Sequence, residues 1–427
     1  QHVLTMYGGI IAPPLIVGTA AGLSGMQIGL LIAAALFVGG LATILQTIGV
    51  KYIGAKLPLV QGVSFAGVAT MVAIVTTGGG LQAVYGAVIV ASLIGFLLAP
   101  YFSKVIRFFP PVVTGCVITI IGLSLLPVAV RWMMGGNKNA PEWGSIENIS
   151  LALATLAIVI ILNLSANATI RRLSILLAIV LGTIFAFVFG FGDFSQVGQG
   201  TWLQVPSLFA FGLPTFELTA ILSMLIVTLV IMTETTADII AVGEIIGTDV
   251  DAKRISDGLR ADMLSSGVAP LFGSFMQSAF AQNVGLVAIT GVKSRYVVAA
   301  GGMILVVLGL LPIIGRFIAA IPVPVLGGAG LVLFGTVAAS GIRTLAKIDY
   351  NEQKNLIIVA TSIAAGMIPI IDHSFYADFP KWVQTLFHSG ISSTCLMAIL
   401  LNILFNHLNI LRPKVSITNK QIIDSHH

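Results

Sequence analysis

Apolar stretches of about 20 residues, the length that crosses a bilayer as a helix, follow one another along almost the whole chain. They lie near 1–22, 24–49, 59–79, 82–103, 109–130, 148–165, 173–192, 218–243, 255–273, 275–291, 296–320, 323–344, 354–371 and 390–408. The pattern predicts an all-α polytopic membrane protein with about fourteen transmembrane segments. Two stretches depart from it. Residues 59–79 and 275–291 are interrupted by Gly and polar residues, and neither is expected to run as one helix. No long linker or low-complexity run separates the segments, so no soluble appendage is expected.

Composition narrows the class. Of 427 residues, 57% are hydrophobic and 9% charged, with a mean hydropathy of +1.04; a soluble domain carries about 25% charged residues. Such a chain cannot cover a water-facing surface, which leaves an integral membrane protein. Cys116 and Cys395 lie inside apolar runs and read as small packing residues, with no disulfide framework, metal cluster or cofactor implied. The chain opens at Gln1 already inside an apolar run, so a further N-terminal stretch is expected in the native protein.

The net charge of +5 matters through its placement, because Lys and Arg favour cytoplasmic loops. If the first segment exits the cytoplasm, one set of loops holds Lys51, Lys56, Lys104, Arg107, Arg171, Arg172, Lys253, Arg254, Lys293, Arg295, Arg343, Lys347, Lys354, Arg412, Lys414 and Lys420. The opposite set holds little more than Arg131, Lys138, Arg316 and Lys381. This asymmetry predicts an even number of passes with both termini inside. An internal echo adds a duplication: "PVVTGCVI" at 111–118 resembles "PVLGGAGL" at 324–331, and "VQGVSFAG" at 60–67 resembles "AQNVGLVA" at 281–288. Seven segments per half is an odd number, so the halves must be inverted, with a ligand site near the midplane where interrupted segments meet.

Irregular backbone at membrane depth survives only inside protein or along a cavity, and ionisable groups there are functional candidates by default. The candidates are His2, Glu234, Asp238, Asp262, Gln61, Gln282 and Asn283. In "MTETTADII", Glu234 and Asp238 stand four apart, on one helical face with Thr235 beside them. Two carboxylates sharing a buried face favour a proton on at least one of them. Asp262 follows Arg260 and is expected near a helix start, with a structural role and proton handling equally open. His2 alone reads as an interior histidine with its bonds satisfied. Phe65, beside Ser64 in an interrupted segment, has a ligand-facing reading as well as a packing one. Asn283 is expected to cap the half-helix that it opens. Glu244, Asp249 and Asp251 read as a solvated loop, Asp372 and His373 as an outer-loop pair, and the closing "SHH" as a tag remnant. Gly78 to Gly80 precede no phosphate cradle, and the glycines of 326–331 read as close helix contacts.

At these residues a resemblance becomes specific. "QNVGLVAITG" is similar to the signature of the nucleobase–ascorbate transporter family, with Gln282, Asn283, Gly285, Thr290 and Gly291 at motif positions. "QHVLTMYGG" at the start, "SFAG" around Phe65 and "LGGAGLVLFG" at 326–335 also resemble the family, and within it the chain looks like a bacterial urate or xanthine permease. The resemblance implies fourteen segments in two inverted repeats, with short strands in segments 3 and 10. It implies a core domain (1–107 and 218–321) and a gate domain (108–192 and 322–408), elevator-like alternating access and a homodimer through the gate domain. It further implies that Glu234 and Gln282 hydrogen-bond the base edge, that Phe65 packs on its ring, and that backbone around Ala281 and Phe280 adds donors. Asp262, His2, Asn283, Asp238 and Thr290 would support the site or the proton path. Ser64 stands where relatives carry Thr or Asn, and the purine preference turns on it.

The chemistry agrees with that expectation. A purine dione presents alternating N–H and C=O groups; a Gln amide meets it with one donor and one acceptor, and a carboxylate accepts from N–H. The expected function is proton-coupled import of urate or xanthine across the cytoplasmic membrane, with the proton as coupling ion, a purine as partner and no nucleic acid. The alternatives are a uracil or other nucleobase permease, an anion exchanger, which would want a cationic or dipole-only site, and an intramembrane enzyme using Glu234 and His2, for which no nucleophile or metal motif is present.

Overall fold

The computed structural model describes residues 2–102, 106–191, 195, 197, 198, 201–372, 374–380, 383, 384, 387 and 389–407. Expectations placed on Lys104, His373, Lys381, Arg412, Lys414, Lys420, the Arg107 side chain and the closing "SHH" lie outside what is described. The first half of the chain folds as α1 (His2–Ala20), α2 (Gly25–Ile48), β1 (Gln61–Val63), α3 (Val68–Ile74), α4 (Gly80–Leu98), α5 (Pro111–Met133), α6 (Ile146–Asn163), α7 (Ala168–Arg172) and α8 (Ser174–Val188). The second half runs α9 (Leu218–Ile246), α10 (Ala252–Val268), β2 (Gln277–Ala279), α11 (Ala281–Thr290), α12 (Arg295–Gly309), α13 (Pro312–Ala319), α14 (Val323–Leu345), α15 (Gln353–Ile371) and α16 (Gly390–Asn402).

Among the described residues eight helical stretches are long and apolar enough to cross a membrane, with Phe65–Tyr101 counted as one, and the α12–α13 pair, bent by 77°, makes a ninth. The shortfall from fourteen has physical causes. α3 and α11 are half-helices of 7 and 10 residues. α8 and α16 are apolar but short, and α10 carries Lys253, Arg254, Asp257, Arg260 and Asp262 within 17 residues.

The helices pack in two groups. In one, α2 lies along α12 and α13, and α4 along α9 and α10, with α1 against α2. In the other, α5 lies along α14, flanked by α6, α8, α15 and α16. Small residues permit the closest approaches: a Cβ at Gly40 would stand 2.5 Å from the Gly302 carbonyl oxygen. In the 326–331 run, Gly327 meets the backbone of Trp132 and Met133, and Gly328 that of Ala152. The pairings recur between the halves: α2 lies along α12 as α10 does along α4, α6 meets α14 as α15 meets α5, and α6 meets α8 as α15 meets α16.

β1 and β2 pair antiparallel, Gln61 opposite Ala279 and Val63 opposite Gln277. A two-stranded ribbon leaves open edges that must be satisfied inside the protein. Thr43 of α2 accepts from Gln61 N at 2.9 Å and donates to Gln61 O at 3.2 Å. Ser266 of α10 treats Gln277 in the same way, at 2.8 and 3.3 Å. The chain leaves the ribbon at opposite ends, through Ser64 into the turn before α3 and through Phe280 into α11. The matching hydroxyl clamps give Gln61 and Gln277 like surroundings. On that correspondence 60–67 aligns with 276–283, five residues from 281–288.

Candidate functional site

The break between β2 and α11 opens on a cavity of about 230 Å³. Phe280 is buried there, its ring held between backbone on two sides: a Cβ at Gly9 would stand 2.5 Å from Phe280 Cε1, and one at Gly62 2.6 Å from Cε2. At the second position of the helix, Gln282 is exposed and lines the cavity with Phe280, Gly285 and Leu286. Leu4 and Gly9 of α1, Arg172 at the end of α7, Ile175 and Leu176 of α8, and Leu333 and Thr336 of α14 close the other sides. The cavity therefore lies between the two packed groups. Its walls are largely apolar, with one amide at a helix start whose first turn no side chain caps. Such a site suits a small flat molecule with a hydrogen-bonding edge.

Asn283 does not cap α11, contrary to expectation. Its side chain points away from the first turn, and its Nδ2 lies 3.1 Å from both His2 Nδ1 and the His2 carbonyl oxygen. Both residues are buried, so the amide ties α11 to the start of α1. Ala281 is exposed at the first position of α11. Thr290 stands in the last turn, bonded to Leu286 O and accepting from Val292 N, eight residues or roughly 12 Å along the helix from Gln282. It is not brought to the cavity.

Glu234 and Asp238 share the half-buried face of α9, and neither makes a hydrogen bond or ion pair with a described residue. Glu234 does not line the Gln282 cavity. It faces the other packed group, across a void of about 10 Å³ shared with Phe109, Thr114, Val117, Ile118, Val230 and Thr233. Asp262 lies past the middle of α10, not near its start, and is fully buried. Arg260 lies 3.6 Å from Asp257 instead. Asp262 accepts from Thr235 Oγ1 at 2.5 Å and from Gln46 Nε2 at 3.0 Å. Thr235 in turn accepts from Ala279 N at 3.4 Å, and Gln46 accepts from Ala55 N at 2.9 Å. Asp262 thus joins α2, α9 and α10 behind β2. Gln46 is not among the candidates above; the sequence signal for it is an amide inside the 24–49 apolar run.

Phe65 meets Phe334 of α14 edge-on at 6.2 Å, and Phe334 meets Trp132 of α5 at 6.2 Å, so this ring also sits where the two groups touch. Ser64 is buried, and its hydroxyl accepts from Ala66 N at 3.2 Å, capping the turn that carries Phe65. Asp251, read as solvated loop, caps α10 by accepting from Arg254 N at 2.7 Å.

The fold is similar to those of solved transport proteins. SLC26A9 matches with a TM-score of 0.63 at 14% identity, over 94% of this chain and 65% of that one. The transmembrane domain of the cyanobacterial bicarbonate transporter BicA matches with a TM-score of 0.58 at 18% identity, over 94% and 97%. At these identities the likeness is one of fold. Residues 1–374 match the family Xan_ur_permease, described as a permease family. Uric acid permease PucJ of Bacillus subtilis is 41% identical over 99% of this chain and 94% of its own length. Uric acid transporter UacT of Escherichia coli is 38% identical over 97% and 88%, and the xanthine permease of Bacillus subtilis 38% over 95% and 92%. The chain is a multi-pass membrane protein of the transporter class. It belongs to the nucleobase–ascorbate transporter family of permeases.

Proposed function

We propose that this protein is a proton-coupled symporter that imports a purine base, urate or xanthine, across the cytoplasmic membrane. The observation that carries this reading is the cavity at the β2–α11 break, where the Gln282 amide faces an otherwise largely apolar space between the two packed groups. Gln282 supplies one donor and one acceptor to the purine edge and Phe280 forms the floor, whereas Phe65 and Ala281 stand outside the cavity lining. Asp262, His2 and Asn283 hold the elements around the break in place, and Glu234 and Asp238 carry the coupling proton.

The same reading takes the first packed group as a core (1–107 and 218–321) that moves against a gate (108–192 and 322–408), in an elevator-like cycle with dimer contacts through the gate. The recurring helix pairings and the Thr43 and Ser266 clamps support two inverted repeats of seven segments. With fourteen segments both termini are cytoplasmic, as the loop charges require.

Calorimetry on the purified protein tests the substrate class. Saturable binding of urate or xanthine, with weaker binding of uracil and none of bicarbonate, is the expected result; bicarbonate binding without purine binding would replace this reading by anion exchange. Ser64 enters as the cap that fixes Phe65. Ser64→Ala is expected to cost about 1 kcal/mol of stability, read as a lowered melting temperature, while the urate-to-xanthine uptake ratio stays constant. A shifted ratio would return the hydroxyl to the substrate.

A further inference from the structure

The cavity that holds Gln282 contains one feature that recognition of a purine edge does not use. Arg172, the last residue of α7, is half-buried in its wall. It makes no hydrogen bond or ion pair with a described residue. Every other described residue of the lining is uncharged. An arginine that only solvated a loop would turn its guanidinium to water, and one that held the fold together would have a carboxylate or carbonyl partner. Here the side chain lines the same cavity as the start of α11 and is left without a counter-charge from the described protein.

We infer that Arg172 is the counter-charge for an anionic purine, and that it sets the preference of the cavity for the ionised over the neutral base. This rests on the purine reading above and adds a charge term to it. Gln282 reads the pattern of N–H and C=O groups, which urate and xanthine share in their six-membered ring, and so separates them weakly. Net charge separates them strongly, because slightly below neutral pH urate is an anion and xanthine is neutral. A guanidinium in a partly closed, low-dielectric wall favours the anion. Arg172 belongs to the second packed group and Gln282 to the first, so the pair can act together on one ligand only while these surfaces face one another. The loop of Arg172 is one of those assigned to the cytoplasmic side, which places this selectivity at the inner mouth.

The test is calorimetric binding of urate and of xanthine, slightly below neutral pH, to the wild-type protein, Arg172→Gln and Arg172→Lys. Arg172→Gln is expected to lose roughly tenfold in urate affinity, the scale of one charge-assisted contact, and to keep its xanthine affinity, which also shows that the variant is folded. Arg172→Lys should recover part of the loss. Raising the salt concentration should weaken urate binding in the wild type and leave Arg172→Gln unmoved. Equal losses for both purines, or no loss for either, would overturn the role of Arg172 while leaving the purine reading in place. A wild-type protein that binds neither base would instead overturn the purine reading itself.

Discussion

Glu234→Gln is expected to bind and exchange purine yet fail to concentrate it against a gradient. The carboxylate of Glu234 lies where α9 meets α5, beside Phe109, Val117, Ile118 and Val230, with a void of about 10 Å³ and no hydrogen-bonding or ionic partner among the described residues. An unpaired charge closed into such a seam is expensive, so the closed arrangement selects the protonated form. In the proposed cycle, movement of the core past the gate would carry the proton with it. Gln is a neutral mimic of the protonated acid and lets the movement proceed with no proton aboard. The pH dependence follows with its sign: urate binding that takes up a proton weakens as pH rises, by up to about tenfold per pH unit where the free carboxyl is ionised. The variant should lose that slope. Accumulation equal to wild type in Glu234→Gln would remove this carboxyl from the coupling path.

Gln282→Ala is expected to weaken purine binding by roughly tenfold to a hundredfold. Gln282 projects into the cavity from the first turn of α11. Truncation leaves a purine N–H and C=O facing alanine inside the cavity, a loss on the order of 1–3 kcal/mol, which converts to that range of affinity. The backbone is untouched, because Gln282 takes no part in the Asn283–His2 tie or in the β1–β2 ribbon, so the variant should melt as the wild type does. Unchanged affinity by calorimetry would mean that the purine does not meet this amide.

Much of the architecture could be read from the sequence, because the bilayer imposes a length and a composition on every segment. The interruptions at 59–79 and 275–291 marked the places where the structure has its ribbon and half-helices. What the sequence could not supply was direction and register. Asn283 had the residue type and position of a cap, but its amide finds His2, 281 residues away in the chain, and no local rule anticipates that. Asp262 had an arginine two positions before it, yet residues two apart on a helix face different sides; its partners Thr235 and Gln46 come from other helices. The family resemblance joins Glu234 and Gln282 into one contact set, whereas in the structure they line separate cavities. Arg172 reads from the sequence only as a loop charge, because a cavity wall assembled from five helices leaves no pattern in any one of them.

The central claim is that purine and proton move together. It is tested most directly by uptake of radiolabelled urate into proteoliposomes of the purified protein, with and without an inward proton gradient. Accumulation above equilibrium in the presence of the gradient, collapsing to equilibration when a protonophore is added, is the predicted result. Uptake that only equilibrates, with the same rate and extent whether or not the gradient is imposed, would contradict it.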